Sequence, residues 1–392
     1  MSRSPAGALT LLALSLVLSM STWFSASAVI PQLRGEWGLS TSAGAWLTIA
    51  VQLGFVAGAL LSSVLTLADV LAPHRVLFAG SLGAAGANAV LLLADGPGTA
   101  IPLRAATGFF LAGVYPPALK LMATWFRRGR GAALGVLVGA LTVGSAMPYL
   151  VSGLGDVDWR VVIVATSALT GAGGAIALLA VPEGPYPFPR AAFDPRQARL
   201  ALANRGVRLS SLGYFGHMWE LYAMWAWFLV FARDALFGSA TAATLVTFCV
   251  IGAGGVGCVV GGLAGDRFGR AETTAALMAC SGLCALVVGL LPTALAVAVA
   301  LVWGLTVVAD SAQFSTLVTE HADQAYVGTA LALQLAAGFT LTTATIWLVP
   351  VAVDAVGWRW AFSFLAVGPA LGVVAMLRLR AYDRRLVRSA GG

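Results

Sequence analysis

Within one long apolar stretch, residues 208–232, a histidine and a carboxylate stand three positions apart, His217 and Glu220. That spacing places both on one face of a helix. A charged carboxylate at mid-bilayer costs roughly 2.5–3.5 kcal/mol on insertion scales, so such a group is kept for a partner or a task. An imidazole titrates near neutral pH, and one beside a carboxylate can share its proton. The chemistry this predicts is uptake and release of a proton away from bulk water. Trp219, Tyr222, Trp225 and Trp227 crowd the same stretch and suit the wall of a solute site. Asp310, with Gln313 three residues on, is the other acid inside an apolar stretch; it reads either as a second proton site or as the brace of a kinked helix. Arg104 stands four residues into the stretch 100–122, where it either snorkels to the interface or handles a proton or an anion. Tyr115 precedes Pro116-Pro117, where a helix must bend. Gln52, Gln313 and Gln334 are uncharged hydrogen-bonding groups suited to a polar solute, and Trp23 completes the expected pocket lining.

The elements that must position these residues follow from composition. The chain has 392 residues, 59% hydrophobic and 10% charged, with mean hydropathy +0.89. Soluble domains carry about 25% charged residues. Twelve apolar runs can be drawn, at 8–30, 44–67, 76–94, 100–122, 132–154, 160–181, 208–232, 241–264, 273–291, 293–318, 328–352 and 360–378. Each is long enough to cross a bilayer, and without water each must be helical to satisfy its own backbone. The fold class expected is an all-α membrane protein. The first run, preceded by Arg3 and holding Ser25-Ala-Ser-Ala28, imitates a secretory signal, but it is too long and reads as an uncleaved first span.

Charge orients the chain. With the N-terminus in the cytoplasm, 17 arginines fall on that side and four (Arg34, Arg160, Arg233, Arg359) on the other. That split is the positive-inside pattern; it predicts a cytoplasmic (inner) membrane protein with both termini inside, and not a nucleic-acid partner. The basic run from Arg378 to Arg388 is also compatible with contact to the lipid surface. Cys249, Cys258, Cys280 and Cys284 have no histidine or carboxylate close by in sequence and read as small packing residues; neither a metal nor a cofactor is expected. No P-loop sequence is present, which argues against an ATP-driven pump, and no nucleophile motif supports an intramembrane protease or other enzyme.

The chain repeats itself. Trp159-Arg160 and Trp358-Arg359 are 199 residues apart, as are Arg34 and Arg233, while Asp69 and Asp266 are 197 apart. Two six-helix halves running in the same direction are expected, 1–181 and 208–392, joined by a Pro- and Arg-rich cytoplasmic linker at 182–207. Parallel halves with the solute bound between them at mid-membrane are a known transporter design.

Gly262-Leu-Ala-Gly-Asp-Arg-Phe-Gly-Arg270 resembles the loop between the eighth and ninth helices of the major facilitator superfamily, with a degenerate first-half copy around Asp69 that ends at Arg75. Arg104-Ala-Ala-Thr-Gly108 is similar to that family's fourth-helix motif. The resemblance implies a carrier that rocks between inward-open and outward-open states, with Asp69, Asp266, Arg267 and Arg270 latching the cytoplasmic side. In the fifth span, Gly135, Gly144 and Pro148 come close to the family's antiporter motif, but Val-Gly-Ser-Ala-Met-Pro lacks the glycine before proline, so symport is favoured over antiport. Nitrate-type porters of the family use an arginine in the second and eighth helices; neither is present here. The expectation is a secondary active transporter of a small organic solute, an organic acid or similar metabolite, moving with protons through a monomeric, lipid-embedded chain. Glu220, His217, Asp310 and Arg104 would handle the proton. The alternatives are a proton-coupled exporter and, less favoured, a receptor or scaffold of the same fold.

Overall fold

A computed structural model of the chain describes residues 4–65, 67–126, 129–155, 157–186, 194–323 and 326–390. Every regular element among the described residues is helical. Among the described residues ten segments are long and apolar enough to cross a membrane: Pro5–Trp37, Thr41–Val64, Pro73–Leu93, Arg130–Ser152, Trp159–Ala180, Ala240–Phe268, Arg270–Leu290, Thr293–His321, Val327–Val356 and Trp358–Leu386. Two further segments stand where the fourth and seventh spans are expected. One is split into Pro97–Leu111 and Tyr115–Ala123 by a turn at Ala112–Val114, just ahead of the proline pair. The other, Arg205–Phe231, is continuous, but its histidine, glutamate and aromatic residues dilute its hydropathy. Numbered in chain order, these segments are spans 1 to 12.

The packing partners are those of two six-helix halves. In the first half span 2 lies against span 4, span 3 against span 6, and span 1 against spans 5 and 6. In the second, span 7 lies against spans 11 and 12, span 9 against span 12, and span 8 against span 10. Span 5 with span 8, and span 2 with span 11, join the halves. Glycine makes the first of these joints. A Cβ on Gly135 would sit 2.6 Å from the Cys258 carbonyl oxygen, and one on Gly139 2.7 Å from that of Gly255. Only bare backbone fits at that approach.

The repeat reappears as a bonding pattern. The Trp159 indole donates to Glu36 at 2.6 Å, and the Trp358 indole donates to Asp234 at 3.1 Å. Each tryptophan at the start of the sixth span of its half thus ties back to an acid at the end of the first or just past it. In the first half Arg160 adds two contacts to the same Glu36.

Among the described residues spans 1, 4, 10 and 12 are broken, and the breaks must be satisfied because hydrocarbon offers the backbone no partner. Span 1 changes from α-helix to a short tight turn at Met20–Thr22 and restarts at Ser25. The carbonyls of Thr22 and Trp23 are met by one side chain, Arg104. Its guanidinium also donates to Ser25 Oγ at 3.0 Å, Asn88 Oδ1 at 3.1 Å and the Leu47 carbonyl at 3.4 Å. Asn88 in turn donates to Ser167 Oγ, Thr166 Oγ1 and the Ile163 carbonyl. One arginine and one asparagine therefore bind spans 1, 2, 3, 4 and 6 together. Arg104 does not snorkel: it is fully buried. Its place near the start of span 4 misleads because span 1 extends to Trp37, which brings the break to the same depth.

Hydrogen bonds to a charged group contribute about 1.5–3 kcal/mol each, and removing one leaves buried acceptors unmet. Arg104→Gln is expected to destabilise the protein by at least about 3 kcal/mol. Arg104→Lys should rescue little of this, since an ammonium has three donors and no planar fork. Thermal unfolding in detergent checks this; an unchanged midpoint for Arg104→Gln would contradict it.

Candidate solute and proton site

Span 1 and span 2 meet span 7 and span 11 at a layer of aromatic rings. Trp23 lies 5.0 Å from Phe55, 5.9 Å from Tyr222 and 5.9 Å from Phe339, measured between ring centroids. Phe55 and Phe339 are 4.6 Å apart, and Tyr222 and Phe339 5.2 Å. Phe24 continues the layer against Tyr222 and Trp225. The break in span 1 at Met20–Thr22 is what turns Trp23 and Phe24 toward the second half. All of these rings are buried.

Polar atoms without partners are also buried among the expected site residues. The Trp23 and Trp225 indole nitrogens, and both side-chain atoms of Gln52, make no hydrogen bond. Buried polar groups are normally paired, so unpaired donors beside a layer of rings call for an explanation. The sequence reading included Trp23, Tyr222 and Gln52. It missed Phe55 and Phe339, because a phenylalanine in an apolar span carries no signal of its own. One clue was present: Trp23 and Tyr222 are 199 residues apart, the spacing of the repeat.

The ionisable groups divide into three sets. His217 Nδ1 lies 2.8 Å from Asp310 Oδ1, both side chains almost fully buried. The contact is at ion-pair distance but off the line of a good hydrogen bond, and the other ring nitrogen, Nε2, is unpartnered. Asp310 sits in the break of span 10, between Thr293–Val307 and Ser311–His321, where it takes the cap position of the second helix without capping it through its side chain. Cys258 of span 8 donates its thiol at 3.4 Å to the Val308 carbonyl of that break, which also accepts from the Ser311 N–H at 3.1 Å.

Glu220 is in a different place. It accepts from Ser281 Oγ of span 9 at 2.8 Å and from the Trp303 indole of span 10 at 2.7 Å. The partner the spacing suggested for His217 was Glu220; the partner in the structure is Asp310. A helical interval of three sets which face two residues share, but not which neighbouring span reaches each of them.

The third set lies at the arginine-rich end. Arg270 binds Asp266 Oδ1 at 2.9 Å, Glu320 at 2.9 Å and Gln313 Oε1 at 2.9 Å. Gln313 completes the cluster by donating to the Gly261 carbonyl at 3.0 Å. The Asp266 carboxylate also reaches the other half: a Cβ on Gly131 would lie 2.5 Å from its Oδ2. Gly131 is in the first turn of span 5, so a carboxylate rests against the positive end of a helix. Arg267 stacks near Phe268 at 5.3 Å. The Asp69 side chain lies outside the described residues.

The remaining expected lining residues disperse. Gln313 belongs to the arginine-rich cluster rather than to the aromatic layer. Trp219 faces span 12, donating to the Phe364 carbonyl at 3.3 Å. Gln334 lines a groove near the start of span 7. Tyr115 begins the second half of span 4 and packs on the main core.

A parallel twelve-span plan, joined by spans 5 and 8 and carrying a cluster of charges after span 8, is the layout of a membrane transporter. Residues 12–346 match the Major Facilitator Superfamily, and the chain belongs to that family of transporters. It is a multi-pass membrane protein. Among curated proteins it is similar to the puromycin resistance protein pur8 of Streptomyces alboniger, 33% identical over 135 residues. That match covers 33% of this chain and 26% of the relative. It is also similar to the uncharacterized transporter ESBP6 of Saccharomyces cerevisiae (strain ATCC 204508 / S288c), 29% identical over 180 residues, 42% of this chain and 26% of the relative. The chain thus aligns with about a quarter of the length of each relative.

Close approach of spans 5 and 8 generates a prediction. In Gly135→Val the added carbons meet the Cys258 carbonyl, a backbone atom that cannot rotate away. Overpacking of this kind costs about 1–3 kcal/mol, which disfavours the joined state by about 5- to 150-fold. A cysteine placed at Ser145, now buried, is then expected to react with maleimide about tenfold faster in the Gly135→Val protein, in a background lacking the native cysteines. Equal labelling rates would show that the joint does not depend on this contact.

Proposed function

We propose that this chain carries a small organic solute with a flat apolar surface across the cytoplasmic membrane, by alternating access coupled to protons. The observation that supports this most is the aromatic layer shared by spans 1, 2, 7 and 11, with unpaired donors on Trp23, Trp225 and Gln52. A solute lying against the rings would supply the acceptors those donors lack. Binding between the halves couples the solute to their relative motion. The proposal keeps 1–181 and 208–392 as the moving halves, 182–207 as the link, and both termini in the cytoplasm.

Arg104 weighs against a simple organic acid. Its donors are engaged by five acceptors within its own half, so it is not free to hold a solute carboxylate. An uncharged or cationic aromatic compound fits the layer better.

For the proton, the assignment is to the His217–Asp310 pair. It has an unpartnered ring nitrogen, and its acid stands in the break of span 10, where a change of charge acts on a hinge. Glu220 is assigned to bracing: two donors hold it, one from span 9 and one from span 10. Arg104 is likewise a brace. The cluster of Asp266, Arg270, Glu320 and Gln313 is proposed as the cytoplasmic latch.

Symport was the expectation from the helix-5 sequence. Export by proton exchange is the second reading, favoured by the similarity to a protein named for puromycin resistance. The sign of an imposed pH gradient separates them. In proteoliposomes tested with puromycin and a panel of aromatic amines and acids, an acid exterior drives uptake in a symporter, and an acid interior drives it in an antiporter.

With any solute so identified, Asp310→Asn is expected to abolish accumulation driven by the pH gradient while exchange of labelled for unlabelled solute continues. His217→Gln should weaken the drive in the same assay. Glu220→Gln should lower the unfolding midpoint, because its amide sets a donor against the donors of Ser281 and Trp303. Full pH-driven accumulation in Asp310→Asn, together with its loss in a stably folded Glu220→Gln, would move the proton site to Glu220.

A further inference from the structure

A groove opens on the outer surface of the second half, away from the aromatic layer, between spans 7, 11 and 12. Near the arginine-rich end it encloses about 670 Å³ and is lined by Arg205, Arg208 and Arg378, with Gln334 at its wall. It continues along spans 7 and 12, past Leu209, Leu212 and Phe215, into a second, almost wholly apolar recess of about 380 Å³ that ends at Trp219 and Val367. Arg378 borders both recesses.

The charges are free to act. None of the three arginines makes an ion pair among the described residues; Arg205 lies over the Tyr382 ring at 5.4 Å, and Arg208 and Arg378 are exposed. At the same end Arg270 pairs with Asp266 and Glu320, and Arg380 with Glu272. What sets Arg205, Arg208 and Arg378 apart is that all three line the mouth of one groove. Gln334 adds an independent sign: it is 4% exposed, and its amide nitrogen has no acceptor. A buried amide donor at the wall of a groove rimmed by cations fits a ligand with several anionic or ester oxygens.

The shape selects among such ligands. Eleven residues of span 12 separate Val367 from Arg378, which at 1.5 Å per residue is about 16 Å of helix. That is about half the thickness of a hydrocarbon core. A charged mouth at the membrane surface and an apolar channel one leaflet deep match a single kind of molecule. We propose that this groove is a binding site for an anionic phospholipid. Its phosphate lies among Arg205, Arg208 and Arg378, a glycerol ester oxygen accepts from Gln334, and one acyl chain runs between spans 7 and 12 toward Trp219. Arginine forks suit phosphate, and basic pockets between membrane helices bind lipid headgroups. The site touches span 11, which packs on span 2 of the other half, so an occupant bears on the joint between halves.

The test reads binding, and its result is independent of what the chain transports. Purified protein in detergent is titrated with phosphatidylglycerol, with phosphatidylcholine of the same acyl chains, and with inorganic phosphate, and the unfolding midpoint is followed. A ligand of the folded state raises it by mass action. Phosphatidylglycerol is expected to raise it by several degrees, and the other two to leave it within error. The combined Arg205→Gln, Arg208→Gln and Arg378→Gln protein should lose that rise, while Arg384→Gln with Arg385→Gln, on the tail beyond the groove, should keep it. Leu212→Trp fills the channel without touching a charge and should lose it too, which keeps the proposal testable if the triple variant does not fold. An equal rise with phosphatidylcholine, a rise with phosphate alone, loss in the tail variant, or retention in Leu212→Trp would each overturn the proposal.

Discussion

Hydrocarbon gives a broken helix nothing to bond to, and this structure depends on how its breaks are satisfied. Span 1 turns at Met20–Thr22 with Arg104 collecting the Thr22 and Trp23 carbonyls, helped at Thr22 by the Ser25 hydroxyl. Span 10 can turn before Asp310 with the Cys258 thiol on the Val308 carbonyl. These two breaks lie in opposite halves. One turns Trp23 and Phe24 into the layer between the halves; the other places Asp310 beside His217. Buried polar groups thus act first as structure, and the geometry they secure then places the groups proposed to do transport chemistry.

The halves solve the same problem with different groups. In the first, a cation in span 4 gathers spans 1, 2 and 3, and through Asn88 span 6. In the second, a carboxyl group in span 7, Glu220, gathers spans 9 and 10. Arg104 and Trp303, which donate in these two networks, are 199 residues apart, the spacing of the repeat. Each half is therefore tied internally by its own polar network. The joint between them is made differently, by glycine contacts of spans 5 and 8 and by stacked rings. A joint made mostly of bare backbone and apolar faces, crossed by the Tyr149 hydroxyl donating to the Trp225 carbonyl at 3.1 Å, is one across which a body can move against another while few buried hydrogen bonds break.

Much of this was legible in the sequence. Hydropathy gave the spans, and the Trp-Arg repeat gave the parallel halves, because both are written in residue type and spacing. The proline pair after Tyr115 marked the break in span 4. The break in span 1 was not legible: Met20-Ser-Thr22 has neither proline nor glycine, and its cause lies in Arg104, about eighty positions away. The partner of His217 was hidden for a similar reason. Helical periodicity relates residues within a span, and the acid that reaches His217 comes from another span. Glu220 and Asp310 were both recognised as out of place in lipid, but their different roles rest on donors, Ser281 and Trp303, that look ordinary in sequence.

The central claim is that protonation at His217–Asp310 biases a rocking motion of the two halves. Electron–electron double resonance between spin labels tests it most directly. One label pair spans the arginine-rich end, at Arg130 and Phe268, and a second spans the opposite end, at Leu154 and Ala240; all four positions are exposed. The account predicts that, on moving from alkaline to acidic buffer in lipid nanodiscs, one distance shortens as the other lengthens, and that Asp310→Asn makes both distances independent of pH. Distances that change together, or a full pH response in Asp310→Asn, would contradict it.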